Sequence, residues 1–455
     1  MNSSSNLLDG SPLRTKHQDS DCGVYTKRCT RVKSTTNVAF SLEAAHRLWY
    51  VTRALRDTLK FEDCSESGDS QDGDSISRRS SLETSFRAEQ ISLILVRLQL
   101  NEPFETSFGV IDTRLILLVS IESDGLTGWG EVVATKEPLY SYETVGTATH
   151  AIRDFLAPSL LDEPICGLSD VAARFKRFRG HNMAKAGLEL ACVDLMARKH
   201  NRSVSRVIEG ERVRIPVGVS LGIQAAPKDL LDRIDHYLAL GYQRIKLKIK
   251  PGWDLAILSE VRRLHPDILL SADANAAYTL DDLDHLKRLD DYGLLMIEQP
   301  LDYDDLVNHS VLQTELKTPI CLDESITGPL RAEQALRLDS CRIINIKIGR
   351  IGGYSQALPI HDLCRERGVP VWCGGMLESG IGRAHNLALA SLAGFTLPGD
   401  ISASSRYFAR DLITPEVTVA ADGTVGVPTG VGIGFDVDLD YIESRTVSIE
   451  RIKPE

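Results

Sequence analysis

The sequence predicts an α/β chain built around a (β/α)8 barrel, with an α+β capping domain and a low-complexity N-terminal extension. Between residues 243 and 350, five short apolar runs each meet a charge, and the charges recur at separations of 25, 25, 25 and 24 residues. That interval holds one strand, one helix and two loops, and such a period marks repeated supersecondary units. Strands that alternate with helices favour a parallel sheet. The five charges are Lys248, Asp273, Glu298, Asp323 and Lys347.

Residues 1–88 predict a largely disordered extension. The tract Cys64–Ser81 is rich in Ser, Asp and Gly and cannot bury a core. Ser41–Phe61 has the apolar spacing of an amphipathic helix, and the N-terminus has no apolar segment of the kind that a secretory signal needs. Its role stays open among a docking helix, an organellar leader, a phosphorylated Ser site and a start codon placed too early.

Residues 89–212 predict the capping domain. Apolar alternation in Leu93–Leu100 and the run Arg114–Ser123, followed by a turn at Asp124-Gly125, favour an antiparallel sheet. Helices are expected from Ser141 to His200. We expect residues 438–455 to return and pack on this domain.

Residues 213–437 predict the barrel. Val213–Leu221 precedes the five charged units, while Val369–Gly375 and Phe395–Asp400 follow them, which gives eight strand candidates. Leucines at helical spacing in Leu280–Leu289 and Leu330–Leu338 predict two of the intervening helices. Since the carboxyl ends of the strands form the active site in this fold, the five charges should meet at one mouth.

The chemistry of this predicted mouth points to a metal-assisted proton transfer. Three carboxylates on adjacent strand ends repel one another unless a cation lies between them, and oxygen ligands with open positions suit Mg²⁺, for which Mn²⁺ can substitute. Lys246 and Lys248 are two residues apart and face the same way. We expect neighbouring positive charge and burial to lower the pKa of a lysine here. A lysine base beside Mg²⁺ suits removal of a proton alpha to a carboxylate, with the metal stabilising the enediolate.

Each of these residues also has an ordinary structural explanation. A lysine at a strand end is usually solvated, and an Asp before a helix is more often its N-cap than a metal ligand. Five such groups at the same phase of five successive units are hard to obtain from capping alone. The regular spacing therefore favours the catalytic interpretation.

Composition excludes several other functions. An apolar content of 43% and a charged content of 25% are ordinary for a globular protein, and a net charge of −11 argues against a nucleic-acid partner. No apolar run reaches the length of a membrane span. The nine cysteines form no CxxC pair, and several lie in apolar runs as buried thiols would. This pattern favours a reducing cytoplasm.

The sequence resembles the enolase superfamily, muconate-lactonising-enzyme-like subgroup, and within it the o-succinylbenzoate synthase/N-succinylamino acid racemase family. The similarity runs in order from about Ile91 to Val437. Enolase-superfamily sites are known to pair a Lys or His base with Mg²⁺. The motifs that carry the resemblance are PFETSFG (Pro103–Gly109), PLYSYE (Pro138–Glu143), FKRFRGHNMAKAGLE (Phe175–Glu189), KLKIKPGWD (Lys246–Asp254), DAN (Asp273–Asn275), EQP (Glu298–Pro300), DES (Asp323–Ser325), NIKIGRIGG (Asn345–Gly353) and VWCGGMLESGIGRAHNLALASL (Val371–Leu392).

The resemblance implies a role for each matching position. Asp273, Glu298 and Asp323 match the Mg²⁺ ligands, Lys248 matches the base, and Lys347 matches the lysine on the opposite face of the substrate. Substrate contacts are implied for Lys246, Ser220, Asn275, Arg350, Gly375, Met376 and Leu377, and for Phe104 and Phe108 on a lid loop.

The resemblance implies dehydration of the cyclohexadiene carboxylate SHCHC to o-succinylbenzoate in menaquinone synthesis, together with N-succinylamino acid racemisation. Both reactions need the same five charged residues, so the sequence leaves the physiological choice open, with the synthase favoured. Dipeptide epimerase and muconate cycloisomerase are more remote alternatives. A catalytically silent ligand-binding barrel is the alternative outside enzymes. The partner is then a small-molecule carboxylate. Members of the family commonly form dimers or octamers, so the resemblance also implies a homo-oligomer.

Overall fold

The computed structural model of the protein describes residues 82–454, so the predictions for residues 1–81 lie outside the described residues. Residues 82–88, which the sequence analysis placed in the disordered extension, are folded. Strand β1 (Ser85–Phe86) pairs antiparallel with Ile165–Cys166. Leu82 and Ala88 are fully buried, because these apolar side chains pack into the cores of the chain. The prediction of disorder is therefore wrong for residues 82–88.

The capping domain is built on an antiparallel sheet, as predicted. Its first three strands are consecutive along the chain, and the turn at Asp124-Gly125 joins two of them with both residues at positive φ. One face of the sheet is apolar and buried against helices, since alternate residues of a strand point to opposite faces. These strands are β2 (Gln90–Thr106), β3 (Gly109–Ser123) and β4 (Leu126–Val132).

Helices cover one face of this sheet. The longest lies so close to β4 that a Cβ at Gly130 would come 2.1 Å from the backbone oxygen of Gly187. Glycine is needed where two backbones approach this closely. The elements are α1 (Val145–Ala151), a π-helical turn (Ile152–Leu156), α2 (Ala157–Leu161), β5 (Ile165–Cys166), α3 (Leu168–Lys176), α4 (Asn182–Lys199) and α5 (Val204–Val207).

The second domain is the predicted barrel. Within residues 82–454, seven parallel strands are hydrogen-bonded in chain order, from Gly218–Leu221 to Val371–Trp372, with no strand out of sequence. The strands are β6 (Arg214–Pro216), β7 (Gly218–Leu221), β8 (Arg244–Lys248), β9 (Leu269–Asp273), β10 (Ile297–Glu298), β11 (Ile320–Leu322), β12 (Ile343–Asn345) and β13 (Val371–Trp372). The helices are α6 (Pro227–Ala239), α7 (Leu255–Leu264), α8 (Leu283–Lys287), α9 (Val307–Glu315), α10 (Pro329–Arg337), α11 (Ile348–Ile351), α12 (Tyr354–Glu366) and α13 (Gly380–Ala390).

Two predicted elements of the barrel are less regular than expected. The helix predicted at Leu280–Leu289 is divided into a 3-10 turn, α8 and a second 3-10 turn, Arg288–Tyr292. The eighth strand predicted at Phe395–Asp400 forms only isolated parallel bridges, from Phe395 to β13 and from Gly399 to Val217. Pro398 stands between them and has no backbone N–H to donate, so the ladder is interrupted there. The segment still closes the barrel between its first and last strands.

The C-terminal segment returns to the capping domain. Its last strand pairs antiparallel with β2 and so becomes the edge of the cap sheet. The domain bounds at 212 and 437 stay predictions. Within residues 82–454 no helix is long and apolar enough to cross a membrane. The elements are a 3-10 turn (Ser404–Arg406), β14 (Ile413–Thr414), β15 (Thr424–Gly426), β16 (Asp436–Val437), α14 (Leu439–Arg445) and β17 (Thr446–Ile452).

Candidate active site

The five predicted charges lie together at the carboxyl end of the barrel strands. Lys248 stands opposite Asp273 in the register of β8 and β9, and Asp273 stands opposite Glu298 in that of β9 and β10. Asp323 lies one residue beyond β11, and Lys347 lies two residues beyond β12. All five side chains are buried. The regular spacing places them on neighbouring strand ends because each βα unit has nearly the same length.

Strand β8 also lines the barrel interior with cations. Arg244, Lys246 and Lys248 alternate along it, and alternate residues of a strand share one face. The Arg244 guanidinium lies 4.6 Å and the Lys246 ammonium 4.7 Å from the centre of the Trp372 ring. Arg244 also forms an ion pair with Asp400. Asp400 was not predicted as a site residue. It stands at the end of the eighth strand candidate, and each of the three predicted ligands likewise follows the apolar part of its own strand candidate.

Lys246 connects three buried carboxylates. Its ammonium lies 3.0 Å from the carboxylate of Asp273, 2.7 Å from that of Glu298 and 2.7 Å from that of Asp400. Burial by itself lowers the pKa of Lys246, but these three carboxylates outweigh burial and raise it above its ordinary value. The predicted lowering of a lysine pKa is therefore wrong for Lys246. Its contacts make it a structural cation at the base of the site.

The two predicted catalytic lysines are held by different sets of residues. The Lys248 ammonium lies 2.7 Å from Asp273 and donates to the side-chain oxygen of Asn275, so barrel residues alone hold it. The Lys347 ammonium lies 2.7 Å from Asp323 and 3.2 Å from the hydroxyl of Tyr140 in the capping domain. Burial lowers the pKa of Lys347, but nearby acidic groups raise it overall, which again differs from the expected direction.

The three predicted metal ligands have the chemistry of a divalent-cation site. They are buried carboxylates from adjacent strands, and burial together with repulsion from Asp273 raises the pKa of Glu298. A divalent cation would relieve that repulsion, and oxygen donors of this kind suit Mg²⁺. In the described part of the chain, no three His, Cys, Asp or Glu side chains are arranged to hold a metal ion as they stand. Lysine and arginine side chains contact these carboxylates instead.

A cavity lies beside these groups, and both predicted catalytic lysines line it, whereas the three predicted metal ligands are not among its lining residues. Both charged and apolar side chains line this cavity, and they include most of the predicted substrate contacts. The lining residues that were predicted as site residues are Phe104, Phe108, Ser220, Lys246, Lys248, Asn275, Lys347, Gly375, Met376 and Leu377. The lining residues that were not predicted as site residues are Thr106, Ile111, Arg114, Thr135, Tyr140, Asp400 and Tyr407.

Arg350 does not line this cavity, unlike the other predicted substrate contacts. Its guanidinium lies behind Asp323, to which it is bonded, and it also donates to the backbone oxygens of Ile326 and Asn345 at 2.9 and 2.7 Å. It lines a neighbouring cavity instead. Arg350 is therefore placed to act on Asp323 rather than on a ligand in the main cavity.

Comparison with known families matches both domains. Residues 90–208 match the family described as "Mandelate racemase / muconate lactonizing enzyme, N-terminal domain". Residues 229–441 match the family described as "Enolase C-terminal domain-like". The first range falls on the capping domain and the second on the barrel that carries the site.

Individual proteins show how close the similarity is. The chain is 54% identical to o-succinylbenzoate synthase from Geobacillus stearothermophilus, over 79% of this chain and 96% of that protein. It is 47% identical to N-succinylamino acid racemase from Thermus thermophilus, over 79% of this chain and 98% of that protein. A crystal structure of an enolase superfamily member from Listeria innocua superimposes with a TM-score of 0.78 at 42% identity, covering 81% and 99% of the two chains.

Proposed function

Since this chain belongs to the enolase superfamily, in the family of the o-succinylbenzoate synthases and N-succinylamino acid racemases, we propose that it is an Mg²⁺-dependent o-succinylbenzoate synthase. Its reaction is the dehydration of SHCHC to o-succinylbenzoate, a step of menaquinone synthesis. The same site racemises N-succinylamino acids. The named activities of the relatives support both reactions.

One observation carries the proposal. Two buried lysines line the same cavity, and in the strand order β8 and β12 stand on either side of β9, β10 and β11. Lys248 belongs to β8 and Lys347 follows β12, so the lysines flank the carboxylates of the three strands between them. A substrate carboxylate held at those strands has its alpha carbon within reach of a base on each side.

In the dehydration, Lys248 is the base. In its neutral form it takes the proton from the carbon alpha to the substrate carboxylate, and the electron pair of that C–H bond moves into the carboxylate as an enediolate. The pair then expels the neighbouring hydroxyl group. The Lys248 ammonium returns its proton to the leaving oxygen, so one water leaves and the ring becomes aromatic. Lys347 stays protonated and stabilises the negative intermediate by its charge.

In the racemisation, both lysines transfer protons. One removes the alpha proton of an N-succinylamino acid, and the other, already protonated, delivers a proton to the opposite face of the carbon. Their roles exchange for the other enantiomer. The apolar wall formed by Phe104, Phe108, Met376 and Leu377 suits the uncharged part of either substrate.

Asp273, Glu298 and Asp323 are the residues that would hold the divalent cation. When bound, Mg²⁺ supplies positive charge where negative charge develops on the substrate carboxylate. The three strands position the carboxylates. Lys246 and the Asn345 amide, which lies 2.8 Å from Glu298, fix the orientation of that side chain from behind.

Free thiols support a reducing compartment. Cys192 and Cys321 are buried and unpaired, as are three other cysteines of the described part, so we place the protein in the cytoplasm. As in the sequence analysis, we expect a homo-oligomer.

A paired assay of the purified protein with Mg²⁺ tests the proposal. One arm follows dehydration of SHCHC by absorbance, and the other follows racemisation of N-succinyl-L-phenylglycine by polarimetry. We expect both, with dehydration faster. Fast racemisation with slow dehydration would make the protein primarily a racemase. Activity in neither arm would refute the proposal and favour a dipeptide epimerase, a muconate cycloisomerase or a silent ligand-binding barrel.

A further inference from the structure

A tyrosine of the capping domain lies against the second catalytic lysine. Tyr140 is in the loop after β4, and its hydroxyl accepts a hydrogen bond of 3.2 Å from the Lys347 ammonium. The same ammonium lies 4.6 Å from the centre of the Tyr140 ring. A cation this close to a ring face is attracted by the ring electrons. We propose that Tyr140 is a positioning residue that holds Lys347 at the substrate, an inference that rests on the proposed function.

The donor site and both acceptor sites of the Tyr140 hydroxyl have hydrogen-bond partners. It donates toward the carboxylate of Asp323, whose two oxygens both lie at 3.2 Å, and it accepts from Lys347 and from Arg350, the latter at 3.4 Å. One donor and two acceptor sites are what a hydroxyl has. Three neighbours on the barrel therefore fix the ring, and the ring in turn limits where the Lys347 ammonium can lie.

The ring also forms part of a wall. Tyr140 lines the main cavity on one side and, on the other, a second cavity that Arg350 and Glu324 line. The Tyr140 ring therefore keeps the Lys347 ammonium at the main cavity. With a smaller side chain at position 140, the Lys347 ammonium could move toward the second cavity.

Tyr140 is hydrogen-bonded to Lys347 but not to the partners that hold Lys248. Lys248 is bonded to Asp273 and Asn275, both in or next to β9, so a change at Tyr140 leaves its contacts intact. Racemisation needs Lys347 to move a proton, whereas dehydration needs only its charge. Loss of the Tyr140 ring should therefore slow proton transfer on one face of the substrate and spare the other.

Exchange of the alpha proton in D2O measures the two faces separately. Each enantiomer of N-succinylphenylglycine is incubated with enzyme and Mg²⁺, and loss of the alpha-proton signal is followed by NMR. Lys248→Ala and Lys347→Ala establish which enantiomer loses its proton to which lysine. We expect Tyr140→Leu to slow exchange at the Lys347 face at least about tenfold relative to the Lys248 face, which is the effect of a buried cation–π contact. Tyr140→Phe keeps the ring and should give a smaller loss at the same face.

Tyr142→Leu is the matched control. Tyr142 is in the same loop but is 56% exposed, and its replacement should leave both exchange rates unchanged. Equal slowing at both faces, or no slowing, in Tyr140→Leu would overturn the inference. If thermal melting shows that Tyr140→Leu is unfolded, the exchange rates of Tyr140→Phe at the two faces are compared instead. Equal slowing at both faces, or no slowing, in Tyr140→Phe would then overturn the inference. A wild-type protein that exchanges neither enantiomer would refute the proposed function and this inference with it.

Discussion

Replacing Lys246 by methionine removes a cation that three buried carboxylates share. Methionine has a similar length but no charge, so Asp273, Glu298 and Asp400 lose a partner that now lies 2.7–3.0 Å from each. The Lys246 side chain is 3% exposed, so water cannot replace it. Removing one member of a buried ion pair costs about 3–5 kcal/mol of unfolding free energy, and we expect a loss in this range.

Lys250→Met is the matched control for this change. Lys250 follows β8 as well, but its side chain is 38% exposed and it pairs with a single carboxylate, that of Glu105, at 3.2 Å. An exposed pair of this kind contributes about 0–1 kcal/mol. Both variants are compared with the wild type by urea unfolding followed by tryptophan fluorescence. If Lys246→Met costs no more than Lys250→Met, the carboxylates do not depend on the Lys246 charge and the description of this cluster is wrong.

A predicted metal ligand, a buried acid and a close backbone contact each offer a further test. Asp323→Asn should weaken Mg²⁺ binding at least about tenfold in isothermal titration calorimetry; unchanged affinity would exclude Asp323 as a ligand. Burial raises the pKa of Glu131 from 4.5 to about 8, so between these values the folded chain keeps a proton that the unfolded chain has lost. The free energy of unfolding should therefore fall as pH rises through this window, by at most about 1.4 kcal/mol per pH unit. In Glu131→Gln, urea unfolding across the same pH range should show a smaller fall of the unfolding free energy with pH than in the wild type. The same fall in both proteins would contradict the raised pKa of Glu131. Gly130→Ala should cost about 1–3 kcal/mol because the new Cβ meets the backbone of α4, whereas Gly426→Ala, with nothing within 4 Å, should cost less; equal losses in urea unfolding would contradict this.

The sequence predicted the barrel and the place of the five charges because both depend on local regularities. Each βα unit has nearly constant length, so one charge per unit at a fixed phase becomes one charge per strand end. The metal-ligand roles of Asp273, Glu298 and Asp323 stay predictions, since position alone does not show that they bind a cation.

The contacts that the sequence did not predict join residues far apart along the chain. Tyr140 reaches Lys347 across 207 positions, and Arg244 reaches Asp400 across 156. Periodicity carries no information about such pairs, because it describes one unit at a time. The eighth strand was expected to be regular, but Pro398 interrupts its ladder. The pKa of Lys246 is raised in part by Asp400, and the regular spacing of the five charges did not predict Asp400 as a site residue.

The catalytic role of Lys248 is tested by the activity of the Lys248→Ala variant. If Lys248 is the base of both reactions, the variant should lose at least about a hundredfold in both dehydration and racemisation, since a general base contributes roughly 10²–10⁴ in rate. Lys228→Ala, at a lysine whose side chain is 80% exposed on α6, should keep both rates. A Lys248→Ala protein that retains more than about one hundredth of either rate would show that Lys248 is not the base.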